Sequence, residues 1–259
     1  MTSYILNYWW GSSIGNHKIH WLKWSNLTRL KGTGGMGFRD LSLFNQALLG
    51  KQAWRLVTTP ESLCSRVIKG KYFPQGNLLS TTRRKNSSVT WKAILHGREV
   101  LQKGIIKRIG DGSSIDVWND KWIPGSVSMK PMVRLDIANA IKVADLIDER
   151  RQWKVEVLKN FVQPDIDAIL KIKLGQNHME DLLAWGFEKN GNYSVRSAYR
   201  LLKDILITEE NEEEHIASSS DGSGSWWKFL WKMKIPPKIK IFWWRVIHGF
   251  FTIKGDLAT

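Results

Sequence analysis

From Leu41 onward the apolar positions Leu41, Phe44, Leu48 and Trp54, with Ala47 and Leu49 beside them, recur at helical spacing as far as Val57. Asp40 stands where an N-cap belongs, and Thr58-Thr59-Pro60 stops the pattern. Pro60-Glu61 suits a new helix start, with a short apolar face of Leu63, Val67 and Ile68 that ends at Gly70. A third helix is expected over 88–103, carried by Trp91, Ile94, Leu95 and Leu101, and a fourth over 197–206, carried by Ala198, Leu201, Leu202 and Ile205. Pro236-Pro237 opens a last helix that places Ile239, Phe242, Trp243, Val246 and Ile247 on one side, with Lys238, Lys240 and Arg245 off that stripe.

Between these helices the pattern shortens. Ile105-Ile106-Lys107-Arg108-Ile109 and Ser114-Ile115-Asp116-Val117-Trp118 flank Gly110-Asp111-Gly112-Ser113, which predicts a β-hairpin. A second is expected from Leu183-Ala184-Trp185-Gly186-Phe187 and Tyr193-Ser194-Val195 around Asn190-Gly191. The fold class is therefore α+β, mainly helical with two short β-hairpins. The glycines at 32, 34, 35 and 37 mark a turn, and the polar stretch 72–88, with Arg83-Arg84-Lys85 inside it, reads as an exposed basic loop. Glu209-Glu210, Glu212-Glu213-Glu214 and the Ser/Gly tract after them predict a disordered linker at about 208–225.

Charge changes this picture from fold to partner. The chain has 259 residues with 39 Lys+Arg against 24 Asp+Glu, a formal net charge of +15. The excess is uneven: residues 1–111 carry +14, residues 112–225 carry −5, and residues 226–259 carry +6. Both ends would attract a polyanion such as nucleic acid, whereas a solvated basic surface without a partner is the plainer alternative. The one cysteine, Cys64, rules out an intrachain disulfide and stands in an apolar pattern that suggests a buried thiol. No signal peptide or membrane-spanning stretch is recognisable, so the expected setting is intracellular, in nucleus or cytoplasm, with no membrane partner.

Catalytic chemistry finds little support. Gly32-Thr33-Gly34-Gly35-Met36-Gly37 matches the dinucleotide pattern literally, but the run before it is basic and Val57 stands near the position where a ribose-binding acid is needed. No two aspartates are adjacent; Asp111, Asp116 and Asp120 come nearest to a metal-holding cluster and fit turn formation better. One cysteine and scattered histidines cannot complete a Cys/His zinc module, so no catalytic residue, metal site or cofactor is assigned. Among 15 tryptophans several alternate with cations, as in Trp21-Leu22-Lys23-Trp24, Trp226-Trp227-Lys228, Trp231-Lys232 and Trp243-Trp244-Arg245. Such interleaving can stack bases and neutralise phosphates, although core packing is weighed ahead for most of them. Trp24 and Trp244, with polar neighbours, are the ones expected to be exposed. The nucleic-acid-binding candidates are Lys18, Lys23, Trp24, Arg29, Lys31, Arg39, Arg83, Arg84, Lys85, Lys238, Lys240, Trp244 and Arg245.

The order of several motifs carries a resemblance. Trp21-Leu22-Lys23-Trp24, the run from Gly34 to Leu41, the run from Phe44 to Leu56, Lys71-Tyr72-Phe73-Pro74, Ile109 to Ile115 and Trp118 to Pro124 follow one another, then Gly191 to Tyr199 and Trp227 to Arg245. Together they resemble the region downstream of the reverse-transcriptase palm in plant LINE-type, non-LTR retrotransposons. The resemblance implies a thumb-like basic helical region over 1–88, a connection region with a β-hairpin over 89–192, and the start of a reverse-transcriptase zinc-binding domain over 193–259. It places the polymerase aspartates upstream of Met1, and the zinc ligands and any ribonuclease H domain beyond Thr259. The expected function is that of a non-catalytic fragment retaining non-specific binding of RNA or an RNA–DNA duplex. The alternative is an unselected fragment or a protein-interaction module.

Overall fold

The computed structural model describes residues 2–11, 15–16, 18–82, 85–124, 128–132, 142–175, 179–217 and 224–250. In order the helices are α1 (Thr2–Trp10), α2 (Trp24–Thr28), α3 (Leu41–Thr58), α4 (Leu63–Tyr72), α5 (Val89–Gly104), α6 (Val155–Leu158), α7 (Gln163–Leu170), α8 (Val195–Ala217), α9 (Gly224–Lys232) and α10 (Pro237–Ile247), with strands β1 (Ile105–Arg108) and β2 (Leu182–Trp185). The chain is a mainly helical α+β protein. It forms two compact units, one of residues 1–44 and 207–259, the other of residues 45–206. The sequence boundaries expected at 88/89 and 192/193 both fall inside the second unit.

Helix signals in the sequence translate directly. The Asp40 carboxylate accepts the amide hydrogens of Ser42 and Leu43 at 2.8 and 3.0 Å, satisfying donors that the first turn of α3 leaves open. The hydroxyls of Ser62 and Ser88 do the same for α4 and α5, accepting from the amides of Ser65 and Trp91 at 3.2 Å. In the second unit α3 and α5 meet at glycines: a Cβ on Gly97 would overlap the backbone of Leu49 and Gly50, and one on Gly50 would strike the Tyr193 hydroxyl. That hydroxyl donates to the Ala47 carbonyl at 2.8 Å from a buried position, and desolvation raises the phenol pKa. A second apolar cluster of the same unit gathers Ile115, Val117, Trp122, Ile123, Leu146, Leu158 and Ile169.

The β structure differs from expectation. Neither hairpin forms; β1 pairs antiparallel with β2, Ile105 opposite Trp185 and Arg108 opposite Leu182. The reason lies beside β2, where the Asp181 carboxylate accepts from the amides of Gly110, Gly112 and Ser114 and from the Ser114 hydroxyl at 2.7 to 2.9 Å. The loop after β1 is thereby tied to the residue before β2, and the run at 114–118 is left with a single bridge from Asp116 to Lys142. At the second site only the turn survives. The Trp185 amide donates to the Gly191 carbonyl at 2.7 Å and Gly191 takes φ +74°, but Val195 begins α8.

Two further expectations are corrected. Cys64 is exposed, as are Leu63 and Val67, because α4 turns Ser65 inward instead. α8 continues through Ala217, so the first part of the expected linker is helical; glutamate is a good helix former, and extending an established helix costs far less than starting one. Residues 218–223 lie outside the described residues. The stretch 73–82 is a mostly exposed loop, as expected, and is anchored by the buried Phe73 and Leu78, with the Arg98 guanidinium donating to the carbonyls of Leu78 and Thr81 and Gln102 donating to that of Leu79.

Candidate nucleic-acid interface

The first unit is built around aromatic rings. Leu27, Met36, Trp227, Leu230 and Trp244 are buried together, with Trp9, Trp10, Trp24, Phe38 and Trp231 packed against them. The glycine cluster closes this core. Gly34 takes φ +84° with the Trp227 ring 3.2 Å from where a Cβ would stand, and a Cβ on Gly35 would overlap the Arg29 carbonyl. Amides of Gly35 and Gly37 bond to the carbonyls of Leu30 and Arg29 at 3.1 and 2.9 Å, and those of Met36 and Phe38 both to that of Leu27. The dinucleotide-like glycines are thus a tight turn that lets two chain segments approach.

Trp244, expected at the surface, is fully buried, and its indole nitrogen donates to the Gly34 carbonyl at 2.8 Å. His248 Nε2 reaches the same oxygen at 2.9 Å and donates there, since a carbonyl oxygen only accepts. Trp24 is half-buried against Phe38. The exposed tryptophans are Trp21, Trp226 and Trp243, of which Trp21 stacks on Phe250 at 5.7 Å. Neighbours on a helix point about 100° apart, so only one of Trp243 and Trp244 can face inward, and sequence alone does not reveal the Gly34 acceptor that decides which.

Alternation of tryptophan and cation serves the unit internally. The Lys31 ammonium sits 4.7 Å from the Trp231 ring centre, the Arg245 guanidinium 5.9 and 5.7 Å from those of Trp9 and Trp10, and the Arg39 guanidinium 4.5 Å from that of Phe44. Lys240 Nζ donates to the Trp231 carbonyl at 3.0 Å. Of the sequence candidates in this unit, Lys18, Lys23, Arg29, Lys31, Arg39 and Lys238 are exposed, while Lys240 and Arg245 are half-buried. Lys85 is exposed in the second unit, and Arg83 and Arg84 lie outside the described residues. In the first unit 1–44 and 226–259 together hold 12 basic residues against two acidic ones, and its remaining acidic residues are gathered between Glu209 and Asp221.

The aspartates that came nearest to a metal cluster are otherwise engaged. Asp111 accepts from the amide and hydroxyl of Ser113, and Asp116 from the amides of Trp118 and Asn119; these backbone bonds hold both carboxyls below the usual range. Asp120 pairs with Lys107 at 2.7 Å. Among the described residues no three His, Cys, Asp or Glu side chains stand where they could share a metal ion, and no helix is long and apolar enough to cross a membrane.

Residues 193–259 match the family described as zinc-binding in reverse transcriptase. An uncharacterized mitochondrial protein of Arabidopsis thaliana is 40% identical over 133 residues, 51% of this chain and 86% of that protein. A putative ribonuclease H protein of the same plant is 31% identical over 252 residues, 92% of this chain but 38% of that protein. No solved structure matches. The residues present do not fit a zinc ion: the matched stretch holds no cysteine, and of its two histidines, His215 and His248, the latter is turned onto the Gly34 carbonyl. Motif order and these similarities agree that the chain belongs to the plant retrotransposon reverse-transcriptase family, its later part matching the reverse-transcriptase zinc-binding domain.

Proposed function

We propose that this chain is a non-catalytic element of a retrotransposon reverse transcriptase that holds RNA or an RNA–DNA duplex by its phosphate backbone, without sequence preference. One observation carries the reading: the two basic chain ends belong to a single compact unit, with Lys18, Lys23, Arg29, Lys31, Arg39 and Lys238 at its surface. Cations gathered on one body release counterions together when they meet a polyanion, and this term needs no base contacts. Engagement of Asp111, Asp116 and Asp120 in turns and an ion pair supports the non-catalytic part. Zinc has no role in the proposed binding.

The test is charge reversal at Lys23, Lys31 and Lys238 in the full chain, read by fluorescence anisotropy with hybrid duplexes of several sequences. Affinity is expected to fall by a similar factor for every sequence. An unchanged affinity, or a loss confined to one sequence, would overturn the proposal.

A specific observation also favours a second reading, a protein-interaction module. On α10 the stripe of Ile239, Phe242, Trp243, Val246 and Ile247 is exposed, as are Trp226 and Phe229 on α9. Contiguous apolar surface of this kind marks contact sites or aggregation. Strong binding of an exposed-patch dye together with no duplex binding would favour this reading over the first.

A further inference from the structure

The second unit contains an open cavity of about 670 Å³, within the range of small-molecule sites. Its lining includes the buried Trp122 and Trp185 and also Phe187, which has 41% of its surface exposed. Three cations border it, Arg108, Lys173 and Lys189, all exposed. Arg108 is held in place: Nη2 donates to the Lys189 carbonyl at 3.2 Å, and its guanidinium lies beside Gly191. The other charged groups lining the space are committed elsewhere. Lys107 pairs with Asp120, and Glu188 accepts from the Ser194 hydroxyl at 2.5 Å, which keeps it ionised.

A cavity this large is poorly matched to a bare phosphate, and its cations are poorly matched to a neutral apolar ligand. A planar aromatic body carrying a phosphate suits both features, because Phe187 offers a face for stacking while arginine and lysine bind phosphate oxygens. We infer that this cavity takes one unpaired nucleotide, its phosphate on Arg108, Lys173 and Lys189 and its base against Phe187. The site belongs wholly to the second unit and does not depend on the cationic surface of the first. A free mononucleotide and the end of a single strand present the same chemistry.

Two probes separate those sources: 2-aminopurine mononucleotide, and a short single strand ending in 2-aminopurine, each titrated against the full chain. Base stacking quenches the probe, so wild type is expected to quench one or both; quenching of the strand alone assigns a strand end, and quenching of both assigns nucleotides in general. Phe187→Ala should remove the quench, with Phe187→Tyr restoring it, and the exposed pair Lys173→Glu/Lys189→Glu should weaken binding by about tenfold or more. Absence of quenching with either probe, or quenching unaltered by both Phe187→Ala and the double charge reversal, would overturn the inference. Charge reversal at Lys23, Lys31 and Lys238 should leave the quench intact, so failure of the duplex-binding proposal and failure of this one are read separately.

Discussion

The Trp244 indole donates to the Gly34 carbonyl across 210 positions of sequence, and this bond links the glycine turn near the start of the chain to α10 near its end. Both chain ends are thereby fixed in one unit. Trp244→Ala should destabilise that unit by about 3–5 kcal/mol, the usual cost of emptying a buried aromatic site, whereas Trp243→Ala at the exposed neighbour should change stability by less than about 1 kcal/mol. Urea denaturation followed by circular dichroism distinguishes the two; equal effects would contradict the assignment of inward and outward faces.

At Gly35 any side chain would overlap the Arg29 carbonyl, and at Gly34 φ is +84°. Gly35→Ala is therefore expected to be more damaging than Gly34→Ala, which should cost about 1–3 kcal/mol. The comparison also tests the structural role of the glycines, since a dinucleotide site would show its loss in cofactor binding rather than in stability.

Tyr193 gives a pH prediction. Burial raises its phenol pKa in the folded state, so above the unfolded value of about 10 the unfolded chain loses its proton first. Stability then falls as pH rises, because the unfolded state binds fewer protons. Tyr193→Phe should cost about 1 kcal/mol at neutral pH through loss of the bond to Ala47. It should also show a shallower alkaline decline than wild type in denaturation midpoints measured from neutral pH upward.

Asp181 is the tie that chooses between hairpin and long-range ribbon, through three amides and one hydroxyl. Asp181→Ala should lose about 1.5–3 kcal/mol. Amide exchange at Ile105–Arg108 should accelerate; unaltered exchange would show that the ribbon does not depend on this carboxylate.

These predictions also show what the sequence could disclose. α3 and α5 were legible because the cap Asp40, the breaker Pro60 and the polar start at Ser88 act within a few residues and need no distant partner, whereas α4 was expected from Pro60-Glu61 and begins instead at Leu63, capped by Ser62. The two hairpins were misread because strand pairing was assigned to neighbours in sequence, while Asp181 bonds across about 70 residues. Burial of Trp244 and exposure of Trp243 hinge on an acceptor at Gly34, equally remote. The cationic candidates were legible as charges; that 1–44 and 226–259 share one unit was not, and the cavity beside Phe187 was missed because its walls come from four separated stretches of chain.

Primer extension with Mg²⁺ addresses the non-catalytic reading. No extension is expected from the full chain, and Asp111→Asn or Asp116→Asn should change nothing in that assay. Purified extension activity abolished by either substitution would place a catalytic carboxylate where the structure has turn-forming ones.

The central claim is a grip on phosphate backbone by cations of one unit, and its salt dependence tests it most directly. Affinity of the full chain for an RNA–DNA duplex, measured as sodium chloride rises from about 50 to about 200 mM, should fall linearly on logarithmic axes, by orders of magnitude if several phosphates are neutralised. The slope should become shallower by about one for each interface lysine replaced by alanine among Lys23, Lys31 and Lys238. Affinity that stays level with salt, or a slope that ignores those substitutions, would contradict the account.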